Sequence, residues 1–486
     1  MKRITIDPIT RLEGHGKIEL FLDDAGEVGE VYFQVPELRG FERFCIGRPV
    51  HELARIVPKI CGVCPSAHHI AAGKAVDAVY HVDPPPAAKK LRELFYAAHF
   101  FHSHIAHFYA LAAPDFVLGP AAAPAQRNIL GVVAKVGLTL GGEVLKHRKI
   151  GQDVQATIAG HQTHLAWCLP GGVSKGISDA ERQEILLLSK SCVEFAQTSV
   201  KVFDDVVLKN QEYVDLILSA PYRLVCHSMG LVDEKNRVNF YDGKVRVVDT
   251  KGAELLKYEP KDYLEHVAER VEPWSYLKFP YLKAKGWHGF TEGQDSGVYR
   301  AAPLARLNAA EGMATPLAQA EYERYVKTLG GKPVHATLAN HWARIVELLY
   351  AAERMVELAA DAETASPNVR VISDAVPTEG VGTVEAPRGT LTHHYVTDEQ
   401  GLVTNVNLIV GTTNNHAPIC MSIKSAATGV IKRGVEVNQG HLNMIEMAFR
   451  AYDPCFSCAT HSLPGTMPME VVVRESDGTV VQRVAR

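Results

Sequence analysis

Two C-x-x-C pairs lie near opposite ends of this 486-residue chain, Cys61-Gly62-Val63-Cys64 and Cys455-Phe456-Ser457-Cys458. No other feature limits the fold so tightly. Two thiolates at this spacing bind one metal from a single turn, and soft sulfur selects zinc, copper(I), nickel or iron over magnesium or calcium. If both pairs serve one site, the chain between them is a frame that brings its ends together. One C-x-x-C also fits a thioredoxin-like redox pair, but no short βαβ unit surrounds either copy. Zinc ribbons space their pairs roughly 15–20 residues apart and let the metal organise a small fold. On spacing alone a zinc staple with four cysteine ligands stays open, in a fold large enough to exist before the metal joins it.

The material for such a fold is present. With 47% hydrophobic residues the chain can bury a large core in more than one layer. A net charge of −4 and a pI near 6.6 argue against a nucleic-acid surface. The segment Met1–Pro8 lacks the apolar run of a signal peptide. No window approaches the roughly 18 uninterrupted apolar residues of a membrane span, so a soluble, cytoplasmic chain is expected. Of the nine cysteines, Cys45, Cys168, Cys192, Cys226 and Cys420 stand singly, in the manner of small buried hydrophobes. Once the pairs are used, no ligand run remains for an iron–sulfur cluster. No G-x-G-x-x-G follows a strand either. Any redox chemistry must therefore send its electrons out through another subunit.

Periodicity predicts a mainly α chain with small β-sheets: a long central helical bundle with hairpins at its edges. Residues 4–35 alternate as a hairpin turning at Asp23–Glu27, interrupted by charge over Arg11–Gly16. Helices are expected over 68–81, ended by Pro84-Pro85-Pro86, and over 87–113, 125–149, 179–209, 304–329 and 334–362. Residues 222–250 alternate between turns, within a β-rich surface excursion over 218–275. A hairpin over 389–410 turns at Asp398–Gly401, and one or two helices over 419–452 lead into the second cysteine pair. A last hairpin, 471–484, turns at Ser476-Asp477-Gly478.

The neighbours of the cysteines carry a resemblance. Cys61-Gly62-Val63-Cys64 with His68, and Asp453-Pro454-Cys455-x-x-Cys458 with His461, resemble the two signature motifs of nickel–iron hydrogenase large subunits. Arg11-Leu12-Glu13-Gly14-His15, Arg39-Gly40-Phe41-Glu42 and Glu385-Ala386-Pro387-Arg388-Gly389 are similar to further blocks of that family, in its order. The likeness spans nearly the whole chain. One departure is Lys59, where the family usually has arginine; the charge is kept and the bidentate fork is lost.

The resemblance implies a nickel–iron centre. Cys61 and Cys455 would bind nickel terminally, Cys64 and Cys458 would bridge it to iron, and the iron would carry cyanide and carbon monoxide. Glu13 is implied as proton carrier and His68 as a donor to a bridging sulfur. Arg388 with Pro387 would stand over the open metal position, with Asp115 and Asp453 holding the guanidinium. Thr412 would donate to a second cyanide. Glu42, His461 and the Leu408 carbonyl resemble the ligands of a Mg2+ site. By contrast, His99, His102, His104 and His107 share no complete helical face with a carboxylate and read as packing or proton-path residues.

Implied partners are an iron–sulfur small subunit, then flavin or further iron–sulfur subunits for NAD(P), or a heterodisulfide reductase–ferredoxin system. Nickel-insertion factors and a maturation endopeptidase are implied too. The endopeptidase would remove residues 462–486 after His461, leaving a single body of 1–461 with a β-rich segment over 1–50. Ala113–Val117 and the lack of a membrane anchor look like the cytosolic, cofactor-coupled branch. Three other classes stay in view: a zinc-stapled scaffold, a complex-I-like quinone-site subunit, and a hydrogen sensor that turns over slowly.

Overall fold

A computed structural model of the chain describes residues 2–7, 9–35, 37, 40–432, 436–459, 470–474 and 480–485, with backbone alone for 2–3, 459 and the last two stretches. Helices dominate, as the periodicity requires. They include α1 (Pro65–Val79), α2 (Pro86–Ala106), α3 (Leu138–Ala159), α4 (Asp179–Phe203), α5 (Asn340–Ala360) and α6 (Gln439–Arg450), with others between. Helix α5 packs against α2 and α4, and α2 also against α3. Because most of α5 is enclosed, several of its polar residues are buried as well; Asn340, Arg344 and Glu347 are fully covered. Local chemistry marks the starts. Pro65 and Pro86 sit in the first turns of α1 and α2, where a missing N–H costs nothing. Ser178 and Glu181 close a capping box on α4.

Several expected helices differ from their pattern. The 87–113 helix stops at Ala106 and continues through a wide π turn, His107–Ala112, into Ala113–Val117. The 179–209 helix likewise widens over Asp204–Leu208. The 125–149 helix is two helices broken at Gly137, whose φ of 94° only glycine takes without strain. The 304–329 helix is also split, into Pro303–Ala309 and Pro316–Thr328.

Strands β1 (Lys2–Ile6), β2 (Lys17–Leu22) and β3 (Val28–Gln34) form an antiparallel sheet, with Asp23 closing the turn between β2 and β3. The charged interruption at Arg11–Gly16 therefore separates a third strand from the expected hairpin. Strands β4 (His227–Val232), β5 (Lys244–Val248) and β6 (Glu254–Tyr258) form a second sheet, edged by Tyr299–Arg300. Its strands differ in burial: every residue of β4 is buried, whereas β6 is exposed at Glu254 and half-buried over the next three residues. The third sheet places β7 (Glu379–Ala386) beside the expected hairpin β8 (Gly389–Thr397) and β9 (Val403–Ile409). Sequence reading missed β7 because Gly380 and Gly382 break its alternation. Both glycines are required by packing: a Cβ at either would lie 2.2–2.3 Å from a carbonyl oxygen of α1. The strand backbone thus lies directly on the helix that follows the first cysteine pair. Near the C-terminus, Glu470–Arg474 pairs with Val480–Ala485, as the last hairpin predicts, while its turn lies outside the described residues.

Candidate metal centre

The two cysteine pairs meet in the interior. Cys61 and Cys64 end the turn that leads into α1; Cys455 and Cys458 follow α6. All four Sγ atoms lie within 4.8 Å of one another, and all four residues are buried. Cys61 and Cys455 Sγ are 3.1 Å apart, Cys64 and Cys458 3.0 Å, and Cys455 and Cys458 2.9 Å. These are not disulfide lengths. Among the described residues this is the one group of three or more His, Cys, Asp or Glu able to hold a metal ion. Burial penalises the charged form of each sulfur, so four thiolates gathered here need cations among and beside them.

One such cation is built in. Arg388 is buried, and its Nη2 lies 3.0 Å from Asp453 Oδ2. Its Nε donates to the Asp453 carbonyl at 3.0 Å and its Nη1 to Ser103 Oγ at 3.2 Å. Asp453 itself takes a left-handed φ of 55° just before the second pair. Beside the sulfurs is a cavity of about 10 Å³, bordered by Ala386, Leu391 and Val410 together with Arg388 and Thr412. That is room for about one small molecule. Four soft sulfurs beside a fixed guanidinium fit a centre of soft metals such as nickel and iron.

Around the sulfurs, Glu13 Oε2 accepts from Cys455 Sγ and from the Ser457 amide, each at 3.0 Å. Burial raises its carboxyl above the ordinary range, and the charge of Cys61 raises it further. The Cys455 amide donates to Thr412 Oγ1 at 3.0 Å, so that hydroxyl oxygen serves the backbone of the ligand turn. His68 Nε2 is 3.4 Å from Cys458 Sγ, one turn into α1 as the spacing required. The Pro387 carbonyl accepts from Arg306 at 3.2 Å.

One expected pairing is corrected. Asp115 does not hold Arg388; it is ion-paired with Arg11 and with Arg450, the latter at 2.7 Å. Asn443 and Glu446 complete this buried set, with Glu446 2.7 Å from Arg450 and hydrogen-bonded to Thr10. Asp115 therefore anchors the segment that carries Glu13. The group that joins Asp453 at Arg388 is Ser103, which sequence reading missed. Its one signal was its place among the histidines of α2. Those histidines are buried and engaged elsewhere: His102 with Gln155, His104 with Glu347, His107 with the Arg450 carbonyl.

Of the expected Mg2+ ligands, Glu42 and Leu408 come together, Glu42 Oε1 accepting from the Leu408 amide at 2.9 Å. Lys278 stands 3.5 Å from the same carboxylate. His461 lies outside the described residues, as does Arg39.

Known proteins resemble this chain along its length. A family profile described as nickel-dependent hydrogenase matches residues 39–137 and 225–461, and one described as HoxL-like matches 3–38. An iron-sulfur subunit of the F420-non-reducing hydrogenase of Archaeoglobus profundus is 49% identical over 484 residues, covering 100% of this chain and 99% of that protein. The NAD-reducing hydrogenase HoxS subunit beta of Cupriavidus necator is 37% identical over 499 residues, covering 100% of each. Among solved structures, an NAD+-reducing [NiFe]-hydrogenase in the H2-reduced state superposes with a TM-score of 0.89 at 38% identity, over 95% of this chain and 100% of that one. No helix among the described residues is long and apolar enough to cross a membrane. Matched along its length, and with four buried sulfurs gathered from its two ends, the chain belongs to the nickel-dependent hydrogenase family, in the role of catalytic large subunit.

Proposed function

We propose that this subunit oxidises H2 reversibly at a nickel–iron centre held by Cys61, Cys64, Cys455 and Cys458. Cys61 and Cys455 would hold nickel, Cys64 and Cys458 would be shared between nickel and an iron, and the iron would carry cyanide and carbon monoxide. The observation that carries this reading is the convergence of four buried sulfurs between a fixed cation, Arg388, and a protonatable carboxyl, Glu13. When bound, the centre supplies the Lewis acid that polarises H2 and takes up its electrons. The chain does the rest. Arg388, held by Asp453 and Ser103, offsets thiolate charge and presents N–H groups to the recess. Glu13 Oε2 lies within hydrogen-bond reach of Cys455 Sγ and moves a proton between that sulfur and the outside. Burial raises its carboxyl above the ordinary range, which favours its carrying a proton.

Electrons leave through an iron–sulfur partner to a cytoplasmic acceptor, NAD(P) or a heterodisulfide reductase–ferredoxin system. Full-length similarity to proteins named as F420-non-reducing and NAD-reducing supports that branch. Glu42, the Leu408 carbonyl and His461 would hold Mg2+ in the completed protein. Nickel-insertion factors load the site, and an endopeptidase then cuts after His461 and removes residues 462–486. The family match stops at residue 461, which supports a tail outside the working body. Metal analysis of the purified complex with a dye-linked H2-uptake assay tests the reading: nickel with iron and uptake are expected, and zinc alone without uptake overturns it. Intact-mass measurement on active, nickel-loaded protein tests the cut; a chain still ending at Arg486 refutes it.

A further inference from the structure

A line of buried groups runs away from the metal centre through His68. His68 Nε2 lies 3.4 Å from Cys458 Sγ, and His68 Nδ1 lies 3.1 Å from His393 Nε2. On its far side, His393 Nδ1 is 2.6 Å from Tyr395 Oη. His393 and Tyr395 are two apart on β8 and so share a face of that strand. Their cross-strand partners are Gly382 and Gly380. Those two glycines leave the space into which the α1 backbone fits, bringing His68 against β8. Sheet and helix thus jointly build the line.

Its chemistry has one consistent proton order in the neutral state. A metal-bound thiolate can only accept, so His68 Nε2 carries the proton that faces Cys458. Neutral His68 is then bare at Nδ1 and must receive a proton from His393 Nε2. His393 is in turn bare at Nδ1 and must receive one from the tyrosine hydroxyl. Tyr395 suits that end, because burial pushes its phenol well above the ordinary range and keeps it protonated. All three donors point toward the sulfur. Cys458, His68, His393 and Tyr395 are each 0% exposed.

We propose that His393 and Tyr395 are positioning residues that aim a row of three hydrogen-bond donors at the Cys458 sulfur and so weaken its electron donation to the metals. Donors in a row polarise one another, and partners behind a ligand tune the metal it binds. The inference rests on the reading of Cys458 as a ligand of a nickel–iron centre.

Infrared spectra of the purified, metal-loaded complex provide the test, through the carbon monoxide and cyanide bands of the iron. Tyr395→Phe removes one hydroxyl and almost no volume. It should shift the carbon monoxide band to lower frequency, because an unpolarised sulfur donates more charge, while nickel and iron content stay at the parent level. His393→Phe should shift the band further. Because the groups act in series, the double variant should match His393→Phe alone. If His393→Phe does not assemble, Tyr395→Phe alone decides. An unmoved band in Tyr395→Phe overturns the inference, as do a lowered melting temperature without a band shift and additive shifts in the double variant. A parent complex lacking these bands altogether overturns the nickel–iron reading first, and this inference with it.

Discussion

The two cysteine pairs share a motif and are held in opposite ways. Cys61–Cys64 is built locally. The amides of Val63 and Cys64 turn back on Cys61 Sγ at 3.1 and 3.4 Å, and α1 begins at the next residue. Cys455–Cys458 is held from outside. The Cys455 amide is taken by Thr412, the Phe456 amide by the Glu13 carbonyl at 3.0 Å, and the Ser457 amide by the Glu13 side chain. Glu13 and Cys455 also form an isolated parallel bridge. Gly14, at φ +85°, follows so closely that a Cβ there would lie 2.9 Å from Phe456 Cβ. One pair is thus a turn that a helix start would make by itself; the other is a latch that closes only when distant segments are in place.

Losing a ligand should erase this difference. Cys61→Ser and Cys455→Ser both remove a soft donor and should abolish H2 turnover and nickel retention; a serine variant with full activity would refute the ligand set.

A smaller but still large effect tests what Glu13 does beyond holding the latch. Glu13→Gln keeps the carbonyl oxygen that accepts from Ser457 but cannot carry a proton. It should slow H/D exchange by about 10²–10⁴-fold with the metal centre still assembled. Normal exchange moves the relay elsewhere.

Asp115→Asn asks whether the latch depends on its remote anchor. It leaves Arg11 and Arg450 buried without their shared carboxylate, at a cost of about 3–5 kcal/mol, read as a fall in melting temperature. Burial opposes ionisation of Asp115, but the Arg450 and Arg11 charges hold its carboxyl below the usual range. A carboxyl so lowered stabilises the fold above the ordinary carboxylate range, and that contribution is lost as pH falls through its folded value. The variant should therefore show a shallower loss of stability on acidification than the parent. An unchanged acid limb would assign that limb to other carboxylates.

Thr412→Val is the mildest probe. It leaves the Cys455 amide buried without an acceptor, costing about 1–3 kcal/mol. It should loosen the second pair and speed metal loss to a chelator, whereas the first pair has no such dependence. Equal metal retention in variant and parent would show that the latch holds without this bond.

Much of the site is legible in the residues alone. Two spaced cysteine pairs announce a sulfur site wherever they fold, and His68 follows Cys64 by four residues, one turn of any helix. What could not be read is which charges pair. Asp115 and Ser103 lie on the same helical stretch, and only the crossing of α2 with the segment before Cys455 decides that Ser103 reaches Arg388 while Asp115 turns to Arg11 and Arg450. Strand β7 escaped notice for a related reason. Its glycines weaken the alternation that marks a strand, yet they are demanded by a helix about 300 residues earlier in the chain.

Residue types and short spacings are enough for the donor set, its burden of negative charge and the helical character of the frame. Each of these is a property of side chains and their near neighbours. That four sulfurs from two ends share one site is a matter of long-range packing. The same packing sets Glu13 beside Cys455, gives Arg388 its partners, and extends the line of donors through His393 to Tyr395. Those arrangements depend on ångström distances between segments far apart in the chain, fixed across the whole core rather than by any local preference.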